Sequence, residues 1–221
     1  MNVRDITGTF EGVPYDDDGL FADTAPCMMV RTPEGGYDTY YYLSDGVWSD
    51  ELGGYGPGWC DAGGSELGED AGVIPVGTAV WFVDQNNTKS SVTIAGEVLS
   101  DATTTISFNT GYTLSAVPYP KSVSFNDIKF VGIEGVPYDD DGLFADTAPC
   151  MMVRTPEGGY DTYYYLSDGV WSDELGGYGP GWCDAGGSEL ASYDEIAIQF
   201  GSAFWIYLTG DLKSFSATFS L

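Results

Sequence analysis

The chain has 221 residues, of which 34 are acidic, 7 are basic and none is histidine, so its formal net charge is −27 at neutral pH. This charge repels nucleic-acid phosphates and anionic membrane surfaces, so we expect no nucleic-acid partner and no membrane insertion. Hydrophobic residues make up 43% of the chain, which is enough for packed cores and excludes wholesale disorder. No apolar run approaches the ~20 residues of a membrane span, and residues 1–5 do not have the pattern of a signal peptide.

A perfect internal repeat dominates the sequence. Residues 11–67 recur without a difference as residues 134–190, displaced by 123 positions. Beyond this block the likeness weakens, and residues 73–83 align with residues 196–206 at the same displacement of 123 positions. Each block carries twelve acidic residues and one arginine, so the negative charge belongs mainly to the repeated part. The chain is therefore predicted to contain two copies of one module.

The predicted elements are short strands. They are rich in β-branched and aromatic residues, Gly, Pro, Asn and Asp separate them, and no long window has the 3.6-residue period of a helix. Strand spacing predicts an all-β chain of two tandem β-sandwich-like modules, copy one over residues 1–99 and copy two over residues 100–221. The strands predicted in copy one are 3–10, 27–32, 37–43, 46–49, 73–83 and 91–99.

The segment that joins the copies is too regular and apolar for a flexible linker. Residues 100–120 are predicted to form two strands around an Asn-Thr-Gly turn, as a leading hairpin of copy two. Copy one has no such hairpin before it, so we expect it to be two strands short and to be completed by sharing the hairpin or by a neighbouring subunit. A neighbour would contact residues 3–10 and 73–83. The alternative is that copy one folds as a smaller sandwich.

The cysteines allow two interpretations. One pair in each module suits a disulfide between Cys27 and Cys60 and another between Cys150 and Cys183. Closing such a loop would stabilise the fold by roughly 3–4 kcal/mol. The alternative is four buried thiols in a reducing compartment. Zinc is not expected, because the chain has no histidine and no CxxC motif.

A cluster of carboxylates in each block predicts an optional calcium site. Adjacent carboxylates repel one another unless they are solvated or bind a cation, and calcium takes about six to eight oxygen ligands. The spacing is not that of an EF-hand, so a solvated turn is the alternative, and no cofactor is required. The candidate ligands are Asp16, Asp17, Asp18 and Asp23 with their copies Asp139, Asp140, Asp141 and Asp146.

Aromatic side chains in each block predict a ligand or interface surface. Flat rings cover the apolar faces of sugars, while carboxylates accept hydrogen bonds from hydroxyl groups. The same rings also fill β cores and protein contacts, so packing is the alternative. The candidates are Tyr40, Tyr42, Trp48 and Trp59 with their copies Tyr163, Tyr165, Trp171 and Trp182.

No residue pattern predicts catalysis. The absence of histidine removes Ser-His-Asp and Cys-His arrangements, and no phosphate-binding or dinucleotide-binding glycine motif is present. A carboxylate pair of the glycosidase kind has no specificity among 34 acidic residues. We therefore expect no enzyme and no catalytic residues.

The order of the segments YYYLSD, GVW, GWCDAGG, PVGTAVWF and TIAGEV resembles β-rich tandem-repeat modules of bacterial or phage surface proteins. The likeness covers most of both copies and implies an extracellular or particle-surface module without residue roles. We therefore expect a non-enzymatic structural protein that assembles into a fibre, a coat or a virion or cell-surface particle, as a homo-oligomer or with other coat or fibre subunits. The alternative is a glycan-binding module, optionally dependent on calcium.

Overall fold

A computed structural model describes residues 2–9, 11–16, 18–32, 35–49, 54–68, 71–84, 91–93, 101–139, 141–155, 157–172, 177–188, 190, 197–209 and 214–220. The chain divides into two compact units, Met1–Glu97 and Val98–Leu221. Antiparallel strands dominate both units, which confirms the all-β class. None of the helices in the described ranges has the length and apolarity that a bilayer crossing requires.

Unit 1 is built on a four-stranded sheet. Its strand order is β4-β3-β2-β5, and a separate pair is formed by β1 and β6. Two short 3-10 turns, Val3–Asp5 and Leu20–Asp23, lie outside the sheets. The strands are β1 (Thr7–Thr9), β2 (Cys27–Arg31), β3 (Tyr37–Ser49), β4 (Gly54–Cys60), β5 (Val80–Val83) and β6 (Ser91–Thr93).

Unit 2 repeats this sheet and extends it. Its five-stranded sheet has the order β13-β12-β11-β15-β8, a three-stranded sheet has the order β10-β16-β7, and β14 pairs with β9. A helical turn, α1, covers Phe144–Thr147, and a 3-10 turn covers Phe125–Asp127. The strands are β7 (Thr103–Asn109), β8 (Gly111–Ala116), β9 (Val123–Ser124), β10 (Ile128–Val131), β11 (Cys150–Arg154), β12 (Tyr160–Ser172), β13 (Gly177–Cys183), β14 (Ala197–Ile198), β15 (Ala203–Leu208) and β16 (Ser214–Ser220).

The joining segment corrects the predicted hairpin. Both strands exist, but β7 pairs with β16 and β8 pairs with β15, so the two lie in different sheets. The chain crosses from one sheet to the other at Thr110, and Gly111 adopts a φ of 91° directly after it. Its positive φ favours glycine at this corner.

Within the described residues, the sheet of unit 1 ends at β5, whereas β8 follows the equivalent strand β15 in unit 2.

Three other strand predictions are corrected in unit 1. Residues 3–10 begin with a 3-10 turn, because the Asn2 side chain accepts a hydrogen bond from the Arg4 backbone N–H at 3.2 Å. The two strands predicted over 37–49 are one strand with a bulge between Leu43 and Val47. Of residues 73–83, only Val80–Val83 form a strand.

Sheet register also corrects the alignment of the copies beyond the perfect block. Trp81 lies opposite Met29, and Trp205 lies opposite the equivalent methionine, Met152. The offset between the two tryptophans is therefore 124 residues, one more than within the block.

The sheet of the block is buried on both faces. In unit 1, Met28 and Tyr40 pack with Val3 and Ile6 on one face, while residues such as Leu43 pack with Phe21 on the other. In unit 2, one cluster combines side chains of the five-stranded and three-stranded sheets, and a second cluster repeats the packing around Phe21 with its copy Phe144. Each face of the sheet packs against a different set of apolar residues, which explains why the strands are apolar on both faces.

Candidate functional site

The segment before β2 is held against the sheet by close backbone contact. Val13 forms a parallel bridge with Leu43, and the Ser44 N–H donates to the Val13 carbonyl at 2.9 Å. A Cβ atom on Gly12 would lie 2.5 Å from the Ser44 nitrogen, so only glycine fits there. Gly135 has the same close contact in unit 2. The acidic turn that begins at Asp16 therefore follows a segment whose backbone is hydrogen-bonded to β3.

Tyr15 fixes the start of this turn. Its side chain packs over Gly46 and Gly64, which have φ values of 86° and 79°, and its ring centroid lies 5.8 Å from that of buried Phe21. The Asp45 carboxylate accepts a hydrogen bond from the Tyr15 N–H at 3.3 Å. Tyr138 repeats the arrangement in unit 2 over the equivalent glycines.

The predicted calcium ligands include one residue with a structural role. The Asp16 carboxylate accepts a hydrogen bond from the Leu20 N–H at 2.7 Å, and Asp139 accepts one from Leu143 at 2.6 Å. Each aspartate thus holds the backbone of the turn that leads into the short helical segment.

The other predicted ligands are not gathered into a site by the described residues. Four of them are exposed: Asp18, Asp23, Asp141 and Asp146. Asp17 and Asp140 lie outside the described residues. In the part of the chain that the structure describes, no three acidic or cysteine residues lie close enough to share a metal ion. Calcium binding stays a prediction.

Calcium binding has a direct thermal test. If the two turns bind the ion, chelation should lower the melting temperature, because a ligand that binds only the folded state stabilises it by mass action. The double variant Asp18→Asn with Asp141→Asn should abolish this dependence. The measurement is a melting curve with a chelator and with millimolar calcium. Curves that coincide would identify ordinary solvated turns.

Three of the predicted surface rings are core residues. Tyr40 is 8% exposed, Trp59 is 4% exposed and Trp182 is 5% exposed, so their faces are inaccessible to a sugar. The Trp59 indole N–H donates to the Ile6 carbonyl at 3.0 Å and ties the N-terminal segment to the sheet. The prediction of a ligand surface is therefore wrong for these three side chains.

The remaining predicted rings are partly covered or not described. Tyr42 packs edge-on against Trp59 with a centroid distance of 5.4 Å. The half-buried Tyr163 and Tyr165 pack against the larger core cluster of unit 2. The side chains of Trp48 and Trp171 lie outside the described residues.

A groove in unit 1 provides the accessible aromatic and acidic surface. It has a volume of about 530 Å³ and lies beside the first residues of β3, where β4 has already ended opposite Tyr41. Tyr37 is 41% exposed there, and Asp38, Asp61 and Glu66 contribute exposed carboxylates. These residues are not among the predicted site residues, although the Cys-Asp-Ala-Gly-Gly turn at Cys60–Gly64 is a recognisable signal.

One wall of the groove is rigid. The Asp61 carboxylate accepts hydrogen bonds from the Gly63 and Ser65 backbone N–H groups at 2.8 Å and 2.9 Å. The Asp61 backbone N–H donates to the Ser65 carbonyl at 3.0 Å, which closes the turn. Asp184 forms the same turn in unit 2. The groove therefore combines a fixed acidic turn with an exposed tyrosine.

The cysteines do not form the disulfides that one interpretation predicted. All four are free and buried. Cys27 and Cys60 both lie opposite Tyr41, on the two strands that flank β3, so two strand spacings of about 4.8 Å put their Cα atoms about 10 Å apart. A disulfide needs Cα atoms within about 7 Å, so the arrangement excludes one. Register in unit 2 repeats this separation.

Burial makes these thiols weak acids. It raises the pKa of Cys60 to about 12 and the pKa values of Cys150 and Cys183 to about 11, and it also raises the pKa of Cys27. The thiolate is the nucleophilic form, so these cysteines are packing residues rather than reactive groups.

Alkaline conditions should destabilise both units. The folded pKa values lie above the unfolded value of about 8.5, so the buried neutral thiols contribute stability that is fully present below that pH. This contribution is lost as the pH rises towards about 11 and about 12. We expect the urea midpoint to fall steadily above pH 9, with thiol labelling only after unfolding. Rapid labelling of the native protein at pH 8 would contradict the assignment.

Comparisons with known proteins give no match: no protein-family model, curated protein or solved structure corresponds to this chain. The functional assignment therefore rests on the residues and geometry described above.

Proposed function

We propose that the chain is a non-enzymatic structural protein whose two β-sandwich modules form part of a fibre, a coat or the surface of a virion or cell. The observation that supports this proposal is the repetition of one block in both units. Each copy of the 57-residue block forms its own sheet with the same strand order, the same core packing and the same acidic turn. A binding surface that is displayed twice on one chain favours repetitive assembly, because linked sites reinforce each other.

Packing in unit 2 supports the sandwich part of the proposal. Phe108 of β7 and Phe215 of β16 belong to the three-stranded sheet, and Phe204 of β15 belongs to the five-stranded sheet. These rings meet in one cluster with centroid distances of 5.0 Å and 6.4 Å from Phe108. Side chains from two sheets that share a core are the basis of a sandwich.

Assembly is tested by electron microscopy of the purified 221-residue chain, together with its mass in solution. We expect filaments, shells or discrete oligomers that grow with protein concentration and with salt, which screens the charge of −27. Partners are further copies or other coat and fibre subunits, at an extracellular or virion surface. Particles of 23.7 kDa at every concentration would contradict self-assembly.

The groove beside β3 favours glycan binding as a second candidate function. An exposed tyrosine ring can cover the apolar face of a sugar, and the neighbouring carboxylates can accept hydrogen bonds from its hydroxyl groups. In the groove, Tyr37 provides the ring, and Asp38, Asp61 and Glu66 provide the carboxylates. The same residue types recur at the equivalent positions of copy two.

A glycan array with matched variants tests this second function. Tyr37→Ala with Tyr160→Ala should remove any binding that depends on the ring. Leu20→Ala with Leu143→Ala is the control, because both leucines are 63% exposed and neither lines the groove. Equal loss in both double variants, or no binding by the unaltered chain, would argue against the groove as a glycan site.

A further inference from the structure

Strand β7 is an edge strand without charged residues. It is the last strand of the three-stranded sheet β10-β16-β7, and its sequence TTTISFN contains no charged residue, no proline and no glycine. Within the described residues, no strand lies beyond it. An edge of this kind offers free backbone donors and acceptors to another strand, because nothing in its sequence opposes pairing.

Two of the other edges of unit 2, β10 and β13, carry features that oppose strand addition. At the opposite edge of the same sheet, β10 contains Lys129, and Pro180 interrupts the donors of β13 at the edge of the five-stranded sheet. Charged residues and prolines are common means of blocking edge pairing. Such features are missing from β7.

The charge of the molecule favours neutral edge strands such as β7 for contact with a second copy. Two chains that each carry a net charge of −27 repel each other wherever their carboxylates approach. The exposed residues of β7 are the neutral Thr103, Thr105, Ser107 and Asn109, and their partners on β16 are serine and threonine. Two copies can therefore approach here without bringing carboxylates from these strands together.

The side chains of β7 can complement those of a second β7. In an antiparallel pair centred on Ile106, Thr105 lies opposite Ser107 of the second copy, and the two isoleucines meet. The existing pair between β7 and β16 shows the same chemistry, because the Thr105 and Thr218 hydroxyls lie 2.8 Å apart in a hydrogen bond. Ile106 is half-buried and packs against the unit 2 core, so its partner would extend that core.

We propose that β7 of one chain pairs antiparallel with β7 of a second copy and joins two three-stranded sheets into one continuous sheet. This inference rests on the assembly proposed above and names its contact. A single strand pair buries less than about 1,200 Å², so the association of two isolated chains is weak, with a dissociation constant of about 10 μM to 1 mM.

The test compares the solution mass of three proteins across this concentration range. Thr105→Lys with Ser107→Lys places like charges opposite each other in the pair, and we expect at least tenfold weaker dimerisation. Ser44→Lys with Ser167→Lys is the control, because it adds the same two charges at exposed positions on other strands, β3 and β12. The added positive charge lowers the overall repulsion, so the control should dimerise as well as the unaltered chain or better.

Cysteine crosslinking tests the register independently of any loss of folding. A mixture of the Thr105→Cys and Ser107→Cys chains should form a crosslinked dimer under mild oxidation more readily than either chain alone, because the two new thiols lie opposite each other only in the mixed dimer. The native thiols are buried and do not compete. If the unaltered chain associates but the lysine variant associates equally, the β7 contact is wrong and the assembly proposal stands. If the unaltered chain stays monomeric throughout, both the β7 contact and the proposed self-assembly are overturned.

Discussion

Replacing Gly64 by alanine is expected to destabilise unit 1 by about 3 kcal/mol. Two effects add at this position. The backbone has a φ of 79°, which costs a residue with a Cβ about 1–2 kcal/mol. The new Cβ would also lie 2.8 Å from Cδ2 of the Tyr15 ring, which must then leave its place against Phe21.

Matched variants separate these two effects. Gly19 has a φ of 73° but no atom within 4 Å of its Cβ position, so Gly19→Ala should cost only about 1 kcal/mol. Tyr15→Ala removes the ring, so adding Gly64→Ala to it should cost less than Gly64→Ala alone. Gly46→Ala should not be rescued in this way, because its Cβ would meet the Cβ of Tyr15, which alanine retains.

The measurement is urea unfolding with hydrogen exchange read from peptides outside the perfect repeat, which identify the unit. Residues 80–83 report on unit 1 and residues 203–208 report on unit 2. Gly187 is the copy of Gly64, so Gly187→Ala should lower the stability of unit 2 instead of unit 1. If Gly19→Ala and Gly64→Ala lower the free energy of unfolding equally, the clash with the Tyr15 ring contributes nothing to the loss.

Much of the strand content could be predicted because side-chain chemistry is local. The CMMVR segment forms β2 as expected, and the tyrosine-rich run after the Gly-Gly turn forms the first part of β3. Strand partners were harder to predict, since β7 and β8 are adjacent in sequence but pair with β16 and β15. Pairing is decided by apolar faces that meet across long sequence separations, as Phe108 and Phe215 do.

The candidate site was less predictable than the fold for a related reason. The sequence shows which rings a strand carries, but exposure depends on the segment that covers each face. Trp59 is buried because residues near the N-terminus pack against it, whereas Tyr37 is exposed where β4 has ended. The cysteine separation likewise depends on register, because Tyr41 lies between Cys27 and Cys60.

Replacing Phe108 by alanine is expected to destabilise unit 2 by about 3–5 kcal/mol, the usual cost of a phenylalanine cavity in a core. Phe108 is fully buried, with its ring stacked on Phe215 at 5.0 Å and tilted against Phe204 at 6.4 Å. The ring therefore links strand β7 to β16 in its own sheet and to β15 in the other. Its removal deletes one of several ring contacts between the two sheets, since Phe204 also packs against Phe219 at 6.4 Å.

Ser107→Ala is the matched control for this prediction, because the neighbouring serine is exposed and should change stability by less than about 0.5 kcal/mol. Urea unfolding followed by hydrogen exchange should show the loss in residues 203–208, with protection of residues 80–83 in unit 1 unchanged. Unit 1 has its own core clusters, so its stability does not depend on Phe108. A loss of less than about 1 kcal/mol in unit 2 would mean that the ring does not join the two sheets. An equal loss of protection in both units would contradict the independence of their cores.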